Sequence, residues 1–182
     1  ATPERTDSFN IYELFDFNIA YEIRLQKALE EDMLCPFHYF GVTDLEIDGI
    51  LIDDTAQFSK LVTEERVTHI IEKIEYYGYS GSTVRGLMFC SRKEEAKELS
   101  KRLNEKGYRT VALTGDNTQE ERIKRVEQLE EGELDYILTV DIFNEGIDIP
   151  SVNQVVMLRQ TQSSIIFIQQ LGRGLRKHNS KD

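Results

Sequence analysis

Residues 84–90, Val-Arg-Gly-Leu-Met-Phe-Cys, form an apolar run of the kind that occupies a parallel strand buried on both faces. Ser91 follows the run and can cap a helix, with Glu94 three residues later as the partner in a capping box. The apolar positions of that helix recur at helical spacing: Ala96, Leu99 and Leu103. Gly107 can end the helix. The stretch therefore predicts a buried strand followed by a covering helix.

The same alternation of strand and helix continues on both sides of this unit. Residues 55–77 carry an apolar stripe that predicts one amphipathic helix, and Asp48-Gly49 predicts a hairpin within residues 45–52. Thr118 and Glu121 predict a second capping box, ahead of a helix that stops at Gly132. Its predicted inward residues are Ile123, Val126 and Leu129. Further strands are predicted at 108–113, 135–140 and 153–158. This order is typical of an α/β fold with a parallel sheet and helices on both faces.

Composition limits the classes of function. The 182 residues suffice for one compact domain, and no run of 18 apolar residues predicts a membrane span. Net charge is −11, the opposite of a stand-alone nucleic-acid binder, so any such contact has to be local. Cys35 and Cys90 stand far apart without metal-ligand spacing, which argues against a metal site and favours a reducing, cytoplasmic setting.

Two motifs follow the last predicted strands. Residues 139–150 read Thr-Val-Asp-Ile-Phe-Asn-Glu-Gly-Ile-Asp-Ile-Pro, directly after a strand. Residues 169–176 read Gln-Gln-Leu-Gly-Arg-Gly-Leu-Arg and place Arg173 and Arg176 three residues apart, on one face of a helix. Guanidinium groups are planar, permanently charged donors that suit phosphate oxygens. The pair therefore predicts contact with a polyphosphate.

Together these motifs resemble motifs V and VI of the second, C-terminal RecA-like lobe of superfamily 2 helicases of the DEAD/DEAH type, in particular the motor subunits of type III restriction enzymes. The resemblance implies a three-layer, parallel-sheet RecA-like fold of the P-loop NTPase type, with ATP and Mg²⁺ bound between two lobes. In such a lobe Arg176 would be the arginine finger and Arg173 a second phosphate contact. The implied nucleotide-side residues are Gln169, Gly146 and Asp148. Those implied to touch nucleic acid are Thr139, Thr114 and Gly115.

The resemblance also implies partners and boundaries. The sequence has no G-x-x-x-x-G-K-[S/T] loop and no Asp-Glu pair after a strand, so ATP and Mg²⁺ would be held mainly by an N-terminal lobe of the same polypeptide. Residues 1–36 would form an inter-lobe segment that starts within a first-lobe motif, Ala1-Thr2-Pro3, and residues 37–182 the second lobe, truncated at its C-terminus. We expect a nucleic-acid partner, with DNA favoured over RNA, and no ATP hydrolysis by this chain alone.

Other interpretations remain open. Asp141, Glu145 and Asp148 could form an acid/base or metal site on the loop. The domain could be a non-catalytic nucleotide- or protein-binding module that retains the motor fold, although a scaffold has no need of Arg173 and Arg176 on one face. A plain small-molecule-binding domain is disfavoured because no G-x-G-x-x-G follows a predicted strand.

Overall fold

A four-stranded parallel sheet forms the centre of the computed structural model, which describes residues 27, 30–35, 37–42, 45–47, 50–52, 57–140 and 149–159. In chain order the elements are β1 (Leu45–Ile47), β2 (Ile50–Ile52), α1 (Phe58–Leu61), α2 (Glu64–Tyr77), β3 (Gly86–Phe89), α3 (Lys93–Glu105), β4 (Thr110–Leu113), α4 (Gln119–Glu130), β5 (Tyr136–Thr139) and β6 (Gln154–Met157). The main sheet has the order β4-β5-β3-β6, and β1 pairs with β2 as the predicted antiparallel hairpin.

The register of the sheet aligns the ends of all four strands. Thr139 of β5 lies level with Phe89 of β3 and with Leu113 of β4, and Phe89 lies level with Met157 of β6. Since the strands are parallel, the residues that follow them leave the sheet on the same side. We call this side the carboxyl edge.

Helices cover both faces of the sheet. One buried cluster joins α2 and α3 to one face: Val67, Ile70, Ile74, Met88, Leu99, Leu103 and Leu138. A second cluster joins α4 to the other face: Leu87, Phe89, Val126, Leu129, Ile137 and Ile149. The predicted three-layer α/β class is therefore confirmed. Within the described ranges, no helix has the length and apolar character needed to cross a bilayer.

The extent of the helix at 55–77 and the buried face of α4 differ from the sequence prediction. The helix predicted at 55–77 is two helices, because Thr63 leaves the helical conformation and accepts a hydrogen bond from the Arg66 N–H at 3.3 Å. Ile123 was predicted to face inward but is 48% exposed. Each residue advances about 100° around the helix axis, so Ile123, six residues before Leu129, lies roughly 120° away from it on the helix surface. The capping box of Thr118 and Glu121 is confirmed.

At the amino ends of β3 and β5, the Tyr136 side chain packs across Gly86. The ring of Tyr136 lies over Gly86 on the neighbouring strand, and a Cβ at Gly86 would lie 2.1 Å from Tyr136 Cδ1. The Tyr136 hydroxyl donates to Gln154 Oε1, and the Gln154 amide donates to the carbonyls of Ile74 and Gly78 at 3.0 and 2.6 Å. This chain of contacts links β3, β5 and β6 to the end of α2.

We expect Gly86→Ala to lower the free energy of unfolding by about 1–3 kcal/mol, because the added methyl group overpacks against the Tyr136 ring. Urea denaturation followed by circular dichroism measures the change. Gly41→Ala is the matched control, since Gly41 is exposed and its added Cβ would meet no atom within 4 Å. Equal stability of the two variants would contradict the close contact.

Candidate nucleic-acid and nucleotide interface

Three of the predicted site residues lie in the described part of the chain, and all three lie at the carboxyl edge. Thr114 and Gly115 follow β4 directly, and Thr139 is the last residue of β5, level with Leu113. The predicted nucleotide-side residues lie outside the described residues: Gly146, Asp148, Gln169, Arg173 and Arg176. Asp141 and Glu145 lie outside them as well, so the acid/base and metal interpretation stays a prediction.

The turn after β4 is held by reciprocal hydrogen bonds. The Thr114 N–H donates to Asn117 Oδ1 at 2.8 Å, and the Asn117 N–H donates back to the Thr114 carbonyl at 3.1 Å. Thr114 is fully buried, whereas Gly115 and Asp116 are exposed. The turn therefore presents the backbone of Gly115 to solvent in a fixed position.

Arg122, on the first turns of α4, also supports this turn. Its Nη2 donates to the carbonyls of Thr114 and Gly115 at 3.4 and 3.3 Å. The start of α4 is fixed by the capping box, in which the Thr118 N–H donates to Glu121 Oε2 at 2.9 Å. That bond, followed by one from the Asn117 amide, lowers the pKa of Glu121. Sequence reasoning missed Arg122 because its partners are backbone carbonyls, which leave no pattern in the sequence.

Two lysines of α3 form ion pairs with Asp116 in the same turn. Lys93 Nζ lies 2.6 Å from Asp116 Oδ1, and Lys97 Nζ lies 3.8 Å from Asp116 Oδ2. The hydrogen bond from Lys93 is the main cause of the lowered pKa of Asp116. Counting Asp116, the two lysines leave one net positive charge beside the turn, on a chain whose net charge is −11. This is the kind of local contact that the acidic composition requires.

The start of α3 differs from the predicted capping box. The N-cap is Arg92, and Ser91 donates its N–H and its hydroxyl to Glu95 Oε2 at 2.9 and 2.7 Å. Glu94, the predicted partner, is exposed. Glu95 takes the inward position because its other oxygen lies 2.6 Å from Nη1 of Arg66, which comes from α2. A partner distant in sequence therefore decides which glutamate binds Ser91.

The ion pair of Arg66 and Glu95 is buried and connects several elements. The two side chains are 7% and 0% exposed. Arg66 also donates to the Leu61 carbonyl at 2.7 Å and to the Leu158 carbonyl at 3.4 Å. Leu158 follows β6, so the pair joins the ends of β3 and β6 at the carboxyl edge. Burial raises the pKa of the neighbouring Cys90 thiol, and the charge of Glu95 raises it further.

Thr139 lies deeper than the prediction assumed. It is fully buried, and its carbonyl accepts a hydrogen bond from the Cys90 N–H at 2.8 Å. Its hydroxyl is buried and has no hydrogen-bond partner in the part of the chain that the structure describes. In this structure the Thr139 side chain therefore does not reach the surface of the carboxyl edge.

Comparison with known proteins gives a consistent set of matches. A family model described as "Helicase conserved C-terminal domain" matches residues 65–178. The chain is 29% identical, over its full length, to IRC3 of Saccharomyces cerevisiae, which carries the name of an ATP-dependent helicase, and spans 27% of that protein. It is 29% identical, over 59% of its length, to the ATP-dependent RNA helicase SrmB of Haemophilus influenzae, of which it spans 25%.

A solved structure has the same architecture. The crystal structure of a DEAD box protein from Methanococcus jannaschii superposes with a TM-score of 0.53 at 25% identity, over 62% of this chain and 30% of that one. The predicted RecA-like fold and the resemblance to a second helicase lobe are therefore confirmed. The chain spans less than a third of each of these three relatives.

We expect Glu95→Gln to lower the free energy of unfolding by about 3–5 kcal/mol, because it leaves the buried Arg66 charge without its counter-ion. Urea denaturation measures the loss. Glu98→Gln on the same helix is the control: its pair with Arg102 is 31% exposed on both sides, so about 0.5 kcal/mol or less should be lost. If both variants lost a similar amount of unfolding free energy, burial of the Arg66–Glu95 pair would not account for its contribution to stability.

Proposed function

Since this chain belongs to the helicase conserved C-terminal domain family, we propose that it acts as the second RecA-like lobe of an ATP-dependent helicase or translocase. ATP would bind between this lobe and an N-terminal lobe. The sequence lacks a glycine-rich phosphate loop, so we assign Mg²⁺ and most phosphate contacts to that other lobe. The contribution of this lobe is charge that stabilises the transition state and a surface that grips the nucleic acid.

Arg176 is the proposed arginine finger, and Arg173 is a second phosphate contact. Negative charge spreads over the γ-phosphoryl oxygens during transfer, and a guanidinium held at that point lowers the barrier. Gln169 would position the arginines, and Gly146 and Asp148 would line the nucleotide side. The position of β6 supports this assignment: the Leu158 N–H donates to the Phe89 carbonyl at 2.9 Å, so the strand that precedes the arginine motif in the sequence ends at the carboxyl edge.

The proposed nucleic-acid surface is the turn of Thr114 and Gly115, and the exposed glycine is the observation that carries it. The φ of Gly115 is not in the left-handed region, and an added Cβ would approach only Lys93 Nζ, at 3.9 Å. The fold therefore does not require a glycine here, whereas close approach of a ligand to the backbone would. The neighbouring Lys93 and Lys97 favour an anionic ligand, for which a nucleic-acid phosphate is the natural choice.

Thr139 is retained in this proposal with a narrower role. Because its side chain is enclosed in the structure, we propose that it shapes the start of the following loop rather than donating its hydroxyl directly to a phosphate. The preference for DNA over RNA stays a prediction. The cycle of ATP binding and hydrolysis would open and close the cleft, so that two lobes alternately grip and release one strand.

We expect Arg176→Ala, in the complete two-lobed protein, to lower nucleic-acid-stimulated ATP hydrolysis by a factor of about 10³ or more. The assay compares single- and double-stranded DNA and RNA, so it also identifies the preferred strand. Arg102→Ala is the control, since Arg102 pairs only with Glu98 on α3 among the contacts described. Hydrolysis that ignores both Arg176 and nucleic acid would favour the non-catalytic binding module instead.

We expect Gly115→Ala to raise the free energy of unfolding by no more than about 1 kcal/mol, because alanine restricts the unfolded chain. The added methyl group should hold a phosphate away from the backbone and weaken binding of single-stranded nucleic acid by about tenfold, the value of roughly one hydrogen bond to a charged group. Fluorescence anisotropy with a labelled oligonucleotide measures the affinity, and urea denaturation measures stability. Gly41→Ala, with open space around its added Cβ, should have a similar effect on stability and none on affinity. Unchanged affinity in Gly115→Ala would remove this turn from the interface.

A further inference from the structure

Among the described strands, β4 lies at one end of the main sheet, so no described strand pairs with its outer backbone. The Tyr136 N–H donates to the Arg109 carbonyl at 3.4 Å, which sets the phase of the ladder between β4 and β5. Hydrogen-bonding groups alternate sides along a strand. The backbone groups of Val111 and Leu113 therefore face β5, and those of Thr110, Ala112 and Thr114 face outward.

Two of these three outward positions are already satisfied by asparagines. At Thr110, Asn104 accepts from the N–H at 2.7 Å and donates to the carbonyl at 3.1 Å. At Thr114, Asn117 accepts from the N–H at 2.8 Å. Ala112 lies between them, and within the described ranges its backbone has no hydrogen-bond partner outside the sheet. Along the outer side of β4, the backbone groups of Ala112 are therefore available for pairing, whereas those of Thr110 and Thr114 are already hydrogen-bonded.

A groove flanks this open residue on each face of the sheet. The groove on the α3 side is shallow and wide open to solvent, with a volume of about 580 Å³. Its charged lining is Lys97, Lys101 and Glu105. The groove on the α4 side has a volume of about 200 Å³. Val111 and Leu113 give it apolar walls, with Glu121, Lys124 and Arg125 at its border. Each groove carries one more positive than negative side chain, although the chain as a whole has a net charge of −11.

We propose that the β4 edge binds a short extended segment of another protein, with the pattern apolar–acidic–apolar, as an added strand opposite Ala112. Paired residues on neighbouring strands point to the same face of a sheet. Ala112 packs on the α3 face, so the residue opposite it places its side chain beside Lys97 and Lys101, where a carboxylate fits. The residues before and after it point to the α4 side, against Val111 and Leu113.

Charge and geometry favour this occupant over two others. A second copy of the chain paired through β4 would bring the same lysines together, and their like charges would repel. A nucleic acid could use the lysines, but its phosphates have no counterpart for the alternating faces or for the paired N–H and C=O of Ala112. A peptide matches all three features, as in other cases of strand addition to a sheet edge. The inference does not depend on the proposed helicase activity.

The probe is a fluorescein-labelled, end-blocked peptide of sequence Thr-Val-Glu-Val-Thr, titrated with the complete protein in an anisotropy assay. Because only one outward residue is open, we expect weak but saturable binding. Lys97→Glu combined with Lys101→Glu should weaken it at least tenfold. The control variant combines Lys60→Glu with Lys73→Glu. It makes the same charge change at residues that line neither groove, and it should leave binding intact.

The role of the backbone is tested on the peptide, so that folding of the protein is not affected. A peptide methylated on the backbone nitrogens of its three central residues, with the same charge and side chains, should not bind. Equal binding of the methylated peptide, or no effect of the two lysine reversals, would overturn the proposal. Because Lys97 also lies beside the turn proposed to bind nucleic acid, the two occupants are separated with Lys101→Glu alone. If this variant weakens binding of a single-stranded oligonucleotide and leaves peptide binding unchanged, the edge belongs to the nucleic-acid surface and the proposal is overturned.

Discussion

The buried ion pair of Arg66 and Glu95 is the interaction on which the geometry of the carboxyl edge depends. Removing two charges from water is costly, and a buried pair is tolerated only when its remaining donors and acceptors are satisfied. Here Glu95 accepts from Arg66 and twice from Ser91, while Arg66 also donates to two backbone carbonyls. Those carbonyls belong to the end of α1 and to the residue after β6. One pair therefore fixes three helices and two strand ends relative to one another.

The buried ion pair helps to position the proposed nucleic-acid surface, although neither of its residues belongs to that surface. The ion pair sets where α3 begins, and α3 then places Lys93 beside the turn of Thr114 and Gly115. Arg122 and Asn117 hold the same turn from α4 and from within the loop. An acidic chain can in this way present a small positive surface, because the charges that matter are placed by buried contacts and not by average composition.

The sequence predicted the features of the fold that depend on local patterns. The run at 84–90 identified a strand buried on both faces, and Thr118 with Glu121 identified the start of a helix, because both members of that box are neighbours in the chain. The capping box of Ser91 was wrong for the opposite reason: its partner was chosen by Arg66, 29 residues before Glu95. A long-range contact of this kind overrides local preference and leaves no mark on spacing.

In the candidate site, too, features that depend on local sequence patterns were predicted and features that depend on long-range packing were not. The alternation of elements predicted a parallel sheet, and residues that follow parallel strands, as Thr114 and Gly115 do, meet at one edge. The order of the strands was not predicted and is known from the structure. The burial of the Thr139 side chain and the support from Arg122 could not be predicted, since both depend on how the layers pack. The nucleotide-side residues lie outside the described part of the chain, and their roles rest on the motif.

The buried thiol of Cys90 gives the carboxyl edge an internal chemical reporter. Alkylating reagents attack the thiolate. In the folded structure the raised pKa of Cys90 keeps the thiol protonated, and its burial keeps the reagent away. Labelling of Cys90 therefore proceeds through transient openings that separate β3 from the helices above it, and its rate measures their free energy. Cys35 is half-buried and offers a second thiol in the same molecule for comparison. Any ligand that stabilises the packing of the helices against β3 at the carboxyl edge should slow the labelling of Cys90 more than that of Cys35.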